Sequence, residues 1–443
     1  MRVLFIQSPS VEGSSAEKVY PLGIVILAGL LRDRGDAVEL VDTNIEPDPF
    51  GAIKNKILDF KPDVVGISLR NIDPLGNKTS SLVPPFLVIA RLVRAVAPEA
   101  WIIAGGTAFS LFPARLMLEA PEIDYGLIGE AEASLPILLD SLENPTRVPG
   151  LCWRARDRIT IEAPPACFNV AEYAPPARDV LDPTRYAGIN AYVPAVGIEL
   201  KRGCPFHCAY CVYPALQGRK LRMRTPQEVV DEMETLQKEY GIDRFHFTDP
   251  VVNYPEDPIQ IVCREILRRK LKVRWDGFMR EDHFSEKQAT LFERAGCECF
   301  SFSPDGLCQE SLDVLDKRLT EGDILKAVKA AAKTEVMSVY HFLVNVPGET
   351  DETSAKGVRM LERIYDFHGN KKNLGTIVLN NVRILPGTGI ERLARVRGVI
   401  GPDTDLLYPT YYNPRPFDTF RYRLEALHLT RNVFMWQNVE ESL

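Results

Sequence analysis

The sequence predicts an α/β protein made of two successive series of strand–helix units, and three observations lead to this fold class. Short β-rich segments alternate with helical patterns from the first residues onward. A proline-rich stretch interrupts the alternation at residues 145–193. The alternation then resumes and ends near residue 397. We therefore expect an α/β domain at 1–144, a proline-rich linker at 145–193, a second α/β domain at 194–397 and a small C-terminal cap at 398–443.

The first series contains about five strand–helix units. Its segments in chain order are 2–7, 22–34, 37–41, 53–60, 64–69, 86–96, 100–103, 124–128 and 131–142. Alternation of this kind makes a parallel sheet with helices on both faces, which predicts a doubly wound, flavodoxin-like domain. Such a domain binds its ligand outside the carboxyl ends of its strands.

The second series contains six candidate strands separated by helical patterns. The strands are expected at 195–201, 244–248, 273–278, 299–303, 338–344 and 376–384. Because a closed barrel of this type needs eight units, six units predict an open, partial (β/α)6 barrel. Its functional side chains are expected at the carboxyl ends of the strands.

Composition excludes several classes of protein. The net charge of -7 gives no overall basic field, so we expect no nucleic-acid partner. The longest apolar stretch, 22–31, is too short to cross a membrane, and the first ten residues do not resemble a secretory signal. Nine cysteines in such a chain favour thiols and metal ligation over disulfides, so we expect a cytoplasmic protein.

A CxxxCxxC motif is the strongest chemical signal in the sequence. Cys204, Cys208 and Cys211 lie in the segment IELKRGCPFHCAYC, directly after the first strand of the second series. Three thiolates can hold three irons of a 4Fe-4S cubane and leave the fourth iron open to an exchangeable ligand. The position at the end of a strand also suits an active site.

Two alternatives to this cluster are weaker. A structural zinc site normally has four ligands in CxxC pairs, whereas Cys297 and Cys299 form only a CxC. Unrelated buried thiols would not explain the spacing of the triad. His207 lies inside the motif and is a possible ligand, but the three cysteines already satisfy the site.

Over residues 195–393 the sequence resembles the radical S-adenosylmethionine (SAM) superfamily. The resemblance implies that Cys204, Cys208 and Cys211 bind the 4Fe-4S cluster. It further implies that the open iron binds the amino and carboxylate groups of SAM, and that the reduced cluster cleaves SAM to a 5'-deoxyadenosyl radical. An external electron donor of the flavodoxin or ferredoxin type is then needed.

The same resemblance suggests four residues of a SAM site. Tyr210 occupies the family's aromatic position beside adenine. Asp249, in FHFTDP, is expected to face the SAM or substrate pocket, and Arg280, in VRWDGFMRED, is a candidate for the SAM carboxylate, with a surface ion pair as its alternative. Asp305, in FSFSPDGL, stands where relatives usually have a longer glutamate, so its contact with the ribose is open.

The loops of the front domain suggest a second cofactor. The segments PLGIVILAGLLRDRG, IIAGGTAFSLFP and DYGLIGEAEASLP resemble the cobalamin-binding domain upstream of many radical SAM methyltransferases. Candidate contacts after the fourth and fifth strands are Gly105, Gly106, Thr107, Gly129 and Glu130. A nucleotide site is weaker, because GxxxxGK and GxGxxG motifs are both missing. A front domain that binds no cofactor is the other alternative.

The loop after the third strand carries Arg70 and Asn71. No histidine precedes His207, so this domain cannot supply a lower axial imidazole to cobalt. By resemblance to cobalamin-dependent radical SAM enzymes, this loop faces the lower side of the corrin, where Arg70 would exclude water. The alternative is an arginine at the sheet edge that pairs with Asp42 or Asp73.

Taken together, these motifs predict a cobalamin-dependent radical SAM enzyme. The function that they favour is methyl transfer from SAM, through methylcobalamin, to an unactivated carbon or phosphorus of a small molecule or peptide. One alternative keeps both cofactors but carries out a ring contraction, cyclisation or other rearrangement. Another is a noncatalytic iron-sulfur protein for electron transfer or sensing.

Overall fold

The computed structural model describes residues 1–10, 17–74, 79–145, 147–156, 158–164, 168–172, 176–190, 192–369 and 373–429. The chain forms two compact units. Most of the first unit is Met1–Gly197, and most of the second is Arg219–Leu406. Each unit is built around one seven-stranded sheet.

The first unit is a doubly wound α/β domain. Its strands β1–β7 are Arg2–Gln7, Ala37–Asp42, Val64–Ser68, Trp101–Gly105, Tyr125–Leu127, Leu151–Ala155 and Arg158–Ile161. Its helices α1–α6 are Leu22–Asp33, Pro49–Phe60, Val83–Val96, Thr107–Leu111, Pro113–Glu119 and Ser134–Leu139. The sheet order is β2-β1-β3-β4-β5-β6-β7, and β1 to β5 are parallel. The first five strands have the flavodoxin-like order, so the predicted fold class is confirmed.

The core of this unit follows from strands that are covered on both faces. Leu4, Ile6 and Val65 are completely buried in the central strands, which therefore read as continuous apolar runs. Phe86 and Val93 of α3 pack into the same apolar cluster. This packing fixes the sheet and leaves the loops at its carboxyl edge free for ligand binding.

The stretch at 145–193 is more structured than a linker. β6 and β7 form an antiparallel hairpin that extends the first sheet beyond β5. Pro149 and Pro164 lie just outside these strands, so they do not remove hydrogen bonds from the ladder. Further along, the buried Tyr186 hydroxyl donates to the Asp42 carboxylate at the end of β2. The first unit consequently reaches residue 197 instead of ending at residue 144.

The second unit is an open α/β sheet. Its strands β8–β16 are Gly197–Ile198, Lys201–Arg202, Arg222–Met223, Arg244–Phe247, Arg274–Met279, Cys297–Asp305, Met337–Val344, Leu374–Arg383 and Tyr411–Tyr412. The main sheet has the order β16-β15-β14-β13-β12-β11-β8, while β9 and β10 pair separately. The strands from β11 to β15 are parallel, with β8 beside β11 at one edge and β16 antiparallel at the other. The described strands do not close, which confirms the predicted partial barrel.

Nine helices are described after β9, and several of them begin at clear sequence signals. They are α7 at Tyr213–Gln217, α8 at Pro226–Tyr240, α9 at Glu256–Arg269, α10 at Glu286–Arg294, α11 at Gln309–Val314, α12 at Glu321–Ala331, α13 at Asp351–His368, α14 at Gly389–Val396 and α15 at Phe420–Leu429. Thr225, Ser285, Thr320 and Thr350 each form a capping box with the residue three positions later. None of the described helices is both long and apolar enough to cross a membrane.

The expected strand at 195–201 is interrupted, and the interruption places the cysteine loop. The backbone N–H groups of Leu200 and Lys201 donate to the Asp249 carboxylate at 2.9 and 3.2 Å. A side chain thus takes the place of a neighbouring strand as hydrogen-bond acceptor. The chain leaves the main sheet after β8, passes through the short β9 and enters the loop that holds the cysteines.

The expected C-terminal cap contributes to the second sheet. Tyr411 and Tyr412 of β16 pair with Arg383 and Val382 of β15. α15 follows, and residues 430–443 lie outside the described residues.

Candidate active site

The three motif cysteines lie in one loop between β9 and α7. Cys204 is buried, Cys208 and Cys211 are half-buried, and all three are free thiols. The Cys211 N–H donates to the Cys208 carbonyl at 3.1 Å, which draws the end of the loop together. Burial, together with the neighbouring Cys208 and Cys204, raises the pKa of Cys211 to about 12. The three thiols thus belong to a single short loop, as the motif predicted.

Two buried cations compensate for negative charge on this loop. Lys317 lowers the pKa of Cys204 and Cys211 against the larger effect of burial, and Arg280 does the same for Cys204. The Arg280 guanidinium also lies 3.9 Å from the centroid of the Phe206 ring, within the cysteine loop. Such cations favour thiolates, which are the form that binds iron.

The chemistry of these residues fits an iron-sulfur cluster. Among the described residues, no three His, Cys, Asp or Glu side chains converge on one ion. Thiolates of a cubane bind three different irons, so they need not point at a common centre. One loop with three free thiols and two neighbouring cations meets the requirements of a 4Fe-4S cluster.

Tyr210 and Asp305, both predicted from the sequence, meet beside the cysteine loop. The Tyr210 hydroxyl and the Lys317 ammonium donate to the same carboxylate oxygen of Asp305, and Lys317 lies 3.3 Å from the Tyr210 hydroxyl. Asp305 has a φ of 65°, a left-handed conformation that turns the chain at the end of β13. Sequence reasoning missed Lys317, because a residue beyond α11 has no local link to β13 in the sequence.

Arg280 is buried instead of lying at the surface, so the alternative of a surface ion pair is wrong. It pairs with Asp282 at 2.8 Å and donates to the carbonyls of Lys317 and Arg318 at 2.7 and 3.2 Å. These contacts join the end of β12 to the loop after α11. The contact of Arg280 with the SAM carboxylate stays a prediction.

Asp249 is buried among hydrogen-bond donors. Its carboxylate accepts hydrogen bonds from two backbone N–H groups and from the Lys201 ammonium at 2.9 Å. The side chains of Asp249 and Lys201 are 0% and 1% exposed. These contacts hold the start of the cysteine loop, and the expected contact of Asp249 with the SAM or substrate pocket stays a prediction.

Sequence reasoning also missed a histidine–aspartate pair on β11 and β12. His246 Nδ1 lies 2.6 Å from Asp276 Oδ1, and the two residues are directly opposite in the parallel ladder. A signal for this pair was available, because each polar residue alternates with large apolar neighbours such as Phe245 and Trp275.

The residues predicted to bind cobalamin lie at the carboxyl edge of the first sheet, and hydrogen bonds join their loops. The Asn71 amide donates to the Ser10 carbonyl at 2.8 Å, and the Thr107 hydroxyl donates to the Arg70 carbonyl at 2.6 Å. The Gly129 N–H donates to the Ser110 hydroxyl at 3.0 Å. The structure thus brings together loops that follow β1, β3, β4 and β5.

Glycines leave this edge open to a large ligand. A Cβ at Gly105 would meet only the Leu127 carbonyl at 3.6 Å, so its surroundings are otherwise open within 4 Å. Gly106 has a φ of 102° and passes close to the Leu69 carbonyl. Glu130, also predicted, accepts a hydrogen bond from the Phe168 N–H at 2.8 Å. An edge of small residues fits a broad, flat cofactor such as cobalamin.

Comparison with known families agrees with both sites. The Radical SAM superfamily model matches residues 198–360, which contain the three cysteines and Asp305. The B12 binding domain model matches residues 11–139, which contain the glycine-rich edge. The chain is a cobalamin-dependent radical SAM enzyme. Its cofactors are a 4Fe-4S cluster, SAM and cobalamin.

Curated relatives of this radical SAM enzyme include proteins named as methyl-transferring enzymes and proteins named as cyclases. An uncharacterized methyltransferase of Pyrococcus horikoshii is 26% identical, with coverage of 82% of this chain and 78% of the relative. The hopanoid C-3 methylase of Methylococcus capsulatus is 28% identical, over 71% of this chain and 59% of the relative. The anaerobic magnesium-protoporphyrin IX monomethyl ester cyclase of Rubrivivax gelatinosus is 27% identical, over 81% of this chain and 65% of the relative. The chain thus spans about three fifths to four fifths of these relatives.

A solved structure has the same fold. The radical SAM methyltransferase TsrM from Kitasatospora setae is 24% identical and has a TM-score of 0.73, with coverage of 89% of this chain and 76% of TsrM. At this identity the likeness concerns the fold alone. The structural likeness to TsrM agrees with a fold in which a doubly wound domain precedes an open partial barrel.

Proposed function

We propose that this enzyme transfers the methyl group of SAM, through cobalamin, to an unactivated carbon or phosphorus of a small-molecule or peptide substrate. The observation that carries the proposal is the presence of two cofactor settings in one chain, a three-thiol loop in the second unit and a glycine-rich sheet edge in the first. The methyltransferase and methylase relatives support methyl transfer over other chemistry.

The cysteine loop has the first role in this function. Cys204, Cys208 and Cys211 would hold the cluster, which supplies one-electron cleavage of SAM when bound. Lys317 and Arg280 balance the negative charge of the thiolates. The buried Asp249–Lys201 pair keeps the start of the loop in place.

The proposed SAM site consists of Tyr210, Arg280 and Asp305. Tyr210 would lie beside adenine, with its orientation fixed by the hydrogen bond to Asp305. Arg280 offers a positive charge for the SAM carboxylate. Asp305 stands at the position where relatives usually have a glutamate, and it would contact the ribose. Tyr210 is part of the cysteine loop, and Arg280 and Asp305 contact residues of that loop.

The proposed cobalamin contacts are the edge residues of the first unit. Gly105, Gly106 and Thr107 would let the backbone approach the corrin, and Gly129 and Glu130 would border it. Arg70 and Asn71 follow β3 and would face the lower side of the ring. No residue before His207 is a histidine, so no imidazole of this domain would coordinate cobalt.

A cyclisation or other rearrangement is the second candidate function, and the cyclase relative favours it. Product mass separates the two candidates, because methylation adds the mass of one CH2 and a rearrangement does not. Both candidates use the same cofactors.

The enzyme would also need a one-electron donor and a reducing compartment. We propose a flavodoxin or ferredoxin as the donor and the cytoplasm as the location. The eight cysteines among the described residues are all free, which supports a compartment that keeps thiols reduced.

The test begins with protein purified anaerobically from cells supplied with cobalamin. Metal analysis and the absorption spectrum should give about four irons and one cobalamin per chain. The holoenzyme is then incubated with a reductant, methyl-labelled SAM and a metabolite extract of the organism that encodes the chain. Labelled product supports the proposal, whereas iron without cobalamin after attempted loading would exclude a methylcobalamin route.

A further inference from the structure

The two faces of the second sheet have different side chains. Phe245, Phe247 and Trp275 are completely buried, and Trp275 packs edge to face against Phe292 of α10 at 5.5 Å between ring centroids. This face therefore lies against the helices. His246 and Asp276 alternate with these residues along β11 and β12, so they point to the opposite, concave face.

The concave face is open within this unit. Phe278 lies two residues after Asp276 and is 40% exposed, although it is in the middle of a sheet. Its ring lies 6.2 Å from the His246 ring and 5.8 Å from the His341 ring, measured between centroids. In a closed barrel of eight strands such side chains fill the interior. Here they form a wall with an exposed aromatic ring between two imidazoles.

The hydrogen bond to Asp276 determines what His246 can offer to a ligand. A carboxylate accepts hydrogen bonds, so His246 Nδ1 is the donor, and Nε2 is an acceptor in the tautomer that carries its single proton on Nδ1. Asp276 is 3% exposed, whereas His246 is 21% exposed. Among the described residues, the hydrogen bond that His246 forms uses Nδ1 and not Nε2. The pair thus presents one oriented acceptor nitrogen on the open face.

The charges near the pair indicate the kind of group that it would bind. Arg244 lies two residues before His246 on the same face, and its guanidinium is paired with Glu298 at 2.9 Å. Burial lowers the pKa of His341, which keeps that imidazole neutral. The surroundings of His246 Nε2 therefore favour a neutral hydrogen-bond donor over an anion.

We propose that His246 binds the substrate of this enzyme, with Asp276 as its positioning residue. His246 Nε2 accepts a hydrogen bond from a hydroxyl or N–H group of the substrate, and an apolar or planar part next to that group packs on Phe278. The substrate class is thus a neutral molecule or segment with an O–H or N–H group beside an apolar surface. This inference rests on the proposed function, because it concerns the molecule that is modified.

Two substitutions of His246 separate hydrogen bonding from packing. His246→Asn places an amide near the position of Nδ1, so it keeps a donor for Asp276 but removes the acceptor at Nε2. His246→Gln places an amide oxygen near the position of Nε2. With the labelled product as readout, His246→Asn should raise KM for the substrate roughly tenfold to a hundredfold, and His246→Gln should restore part of the loss.

His368→Gln is the matched control for stability. His368 is buried in the helix layer, and both of its ring nitrogens are bonded, to Tyr340 at 3.0 Å and Asn373 at 2.9 Å. This variant should lower the melting temperature without raising KM. Equal increases of KM in His246→Asn and His246→Gln, or no increase in either, would overturn the proposal.

A second measurement does not depend on the substrate. Diethyl pyrocarbonate, applied to the anaerobic holoenzyme and followed by peptide mass spectrometry, should modify His246 and leave the doubly bonded His368 unmodified. If His246 stays unmodified while the exposed His207 reacts, Nε2 of His246 is not accessible, and the proposal is overturned. If His246 reacts but the wild-type protein gives no labelled product, the failure belongs to the proposed function and not to this site.

Discussion

Buried ion pairs hold the charged side chains beside the cysteine loop. Lys201 and Asp249 are almost completely enclosed, and Lys317 and Asp305 are 9% and 7% exposed. A pair of this kind adds little net stability, because desolvation opposes the attraction, but removing one partner leaves an uncompensated charge. These residues are therefore sensitive to substitution whether or not they touch a cofactor.

Lys201→Met should destabilise the protein by about 3–5 kcal/mol, because Asp249 would stay buried without its cation. The matched control is Arg274→Met. Arg274 and Asp243 form a pair on the surface, 53% and 49% exposed, so this change should cost about 0–1 kcal/mol. Calorimetric unfolding of both variants measures the difference, and similar losses would contradict the buried pair.

Glu281 gives a prediction about pH. Its carboxyl is buried, with no hydrogen-bond partner for either oxygen among the described residues. Burial raises its pKa to about 7, above an unfolded value near 4.3. Since the folded pKa is raised, the folded state is favoured below the unfolded pKa, and this stability is lost as the pH rises toward 7.

Glu281→Gln should remove this pH dependence. Relative to the wild type, the variant should gain about 2–3 kcal/mol of unfolding free energy between pH 5 and pH 8, because each pKa unit corresponds to about 1.4 kcal/mol. Other titrating groups are the same in both proteins and cancel in the comparison. Denaturant unfolding at the two pH values measures the gain, and a constant difference would argue against a raised pKa.

At the scale of elements, the turn from β4 to α4 shows how a local conformation prepares a binding edge. Gly105 ends β4 and Gly106 leads into α4 with a φ of 102°. The Cβ of any other residue at position 106 would lie 2.5 Å from the Leu69 carbonyl oxygen. The turn can therefore pass close to the end of β3 only with glycine at this position.

Gly106→Ala and Gly105→Ala test this turn as a matched pair. Gly106→Ala should cost at least about 2 kcal/mol and lower cobalamin content, because it combines backbone strain with a clash against the main chain. Gly105→Ala should keep stability within about 1 kcal/mol, since its nearest contact is an ordinary 3.6 Å. If Gly105→Ala is stable but shows reduced cobalamin absorption, the corrin approaches the backbone closely at this position. Equal stability of the two variants would contradict the expected clash at position 106.

At the scale of the whole molecule, the two cofactor sites belong to two compact units. The sheet edge proposed to bind cobalamin lies within Met1–Gly197, and the cysteine loop lies within the second unit. Each unit has its own sheet and its own core, so the loss of one cofactor need not unfold the other unit.

Cys208→Ser in the full-length protein should therefore abolish the cluster and keep cobalamin. Iron content should fall to near zero, because a cubane held by two thiolates is not retained. Cys297→Ser is the control, since Cys297 is buried in β13 outside the motif. Iron analysis and the cobalamin spectrum of both variants give the answer, and full iron content in Cys208→Ser would exclude this residue as a ligand.

The sequence by itself determined those features that local patterns encode. Strand and helix alternation predicted the doubly wound domain and the open barrel, and both are confirmed. The spacing of Cys204, Cys208 and Cys211 predicted the cluster motif, and capping residues such as Thr225 define where helices begin. Each of these signals involves residues that are close along the chain or repeat with a fixed period.

Only the tertiary structure decided which distant residues meet. Lys317 reaches Asp305 and Tyr210, and Asp276 orients His246, through contacts between separate elements of the second unit. The buried contact of Asp249 with Lys201, which supports the start of the cysteine loop, likewise links separate elements. The physical reason is that burial and partnership depend on how strands and helices pack, and one sequence without its fold does not specify those distances.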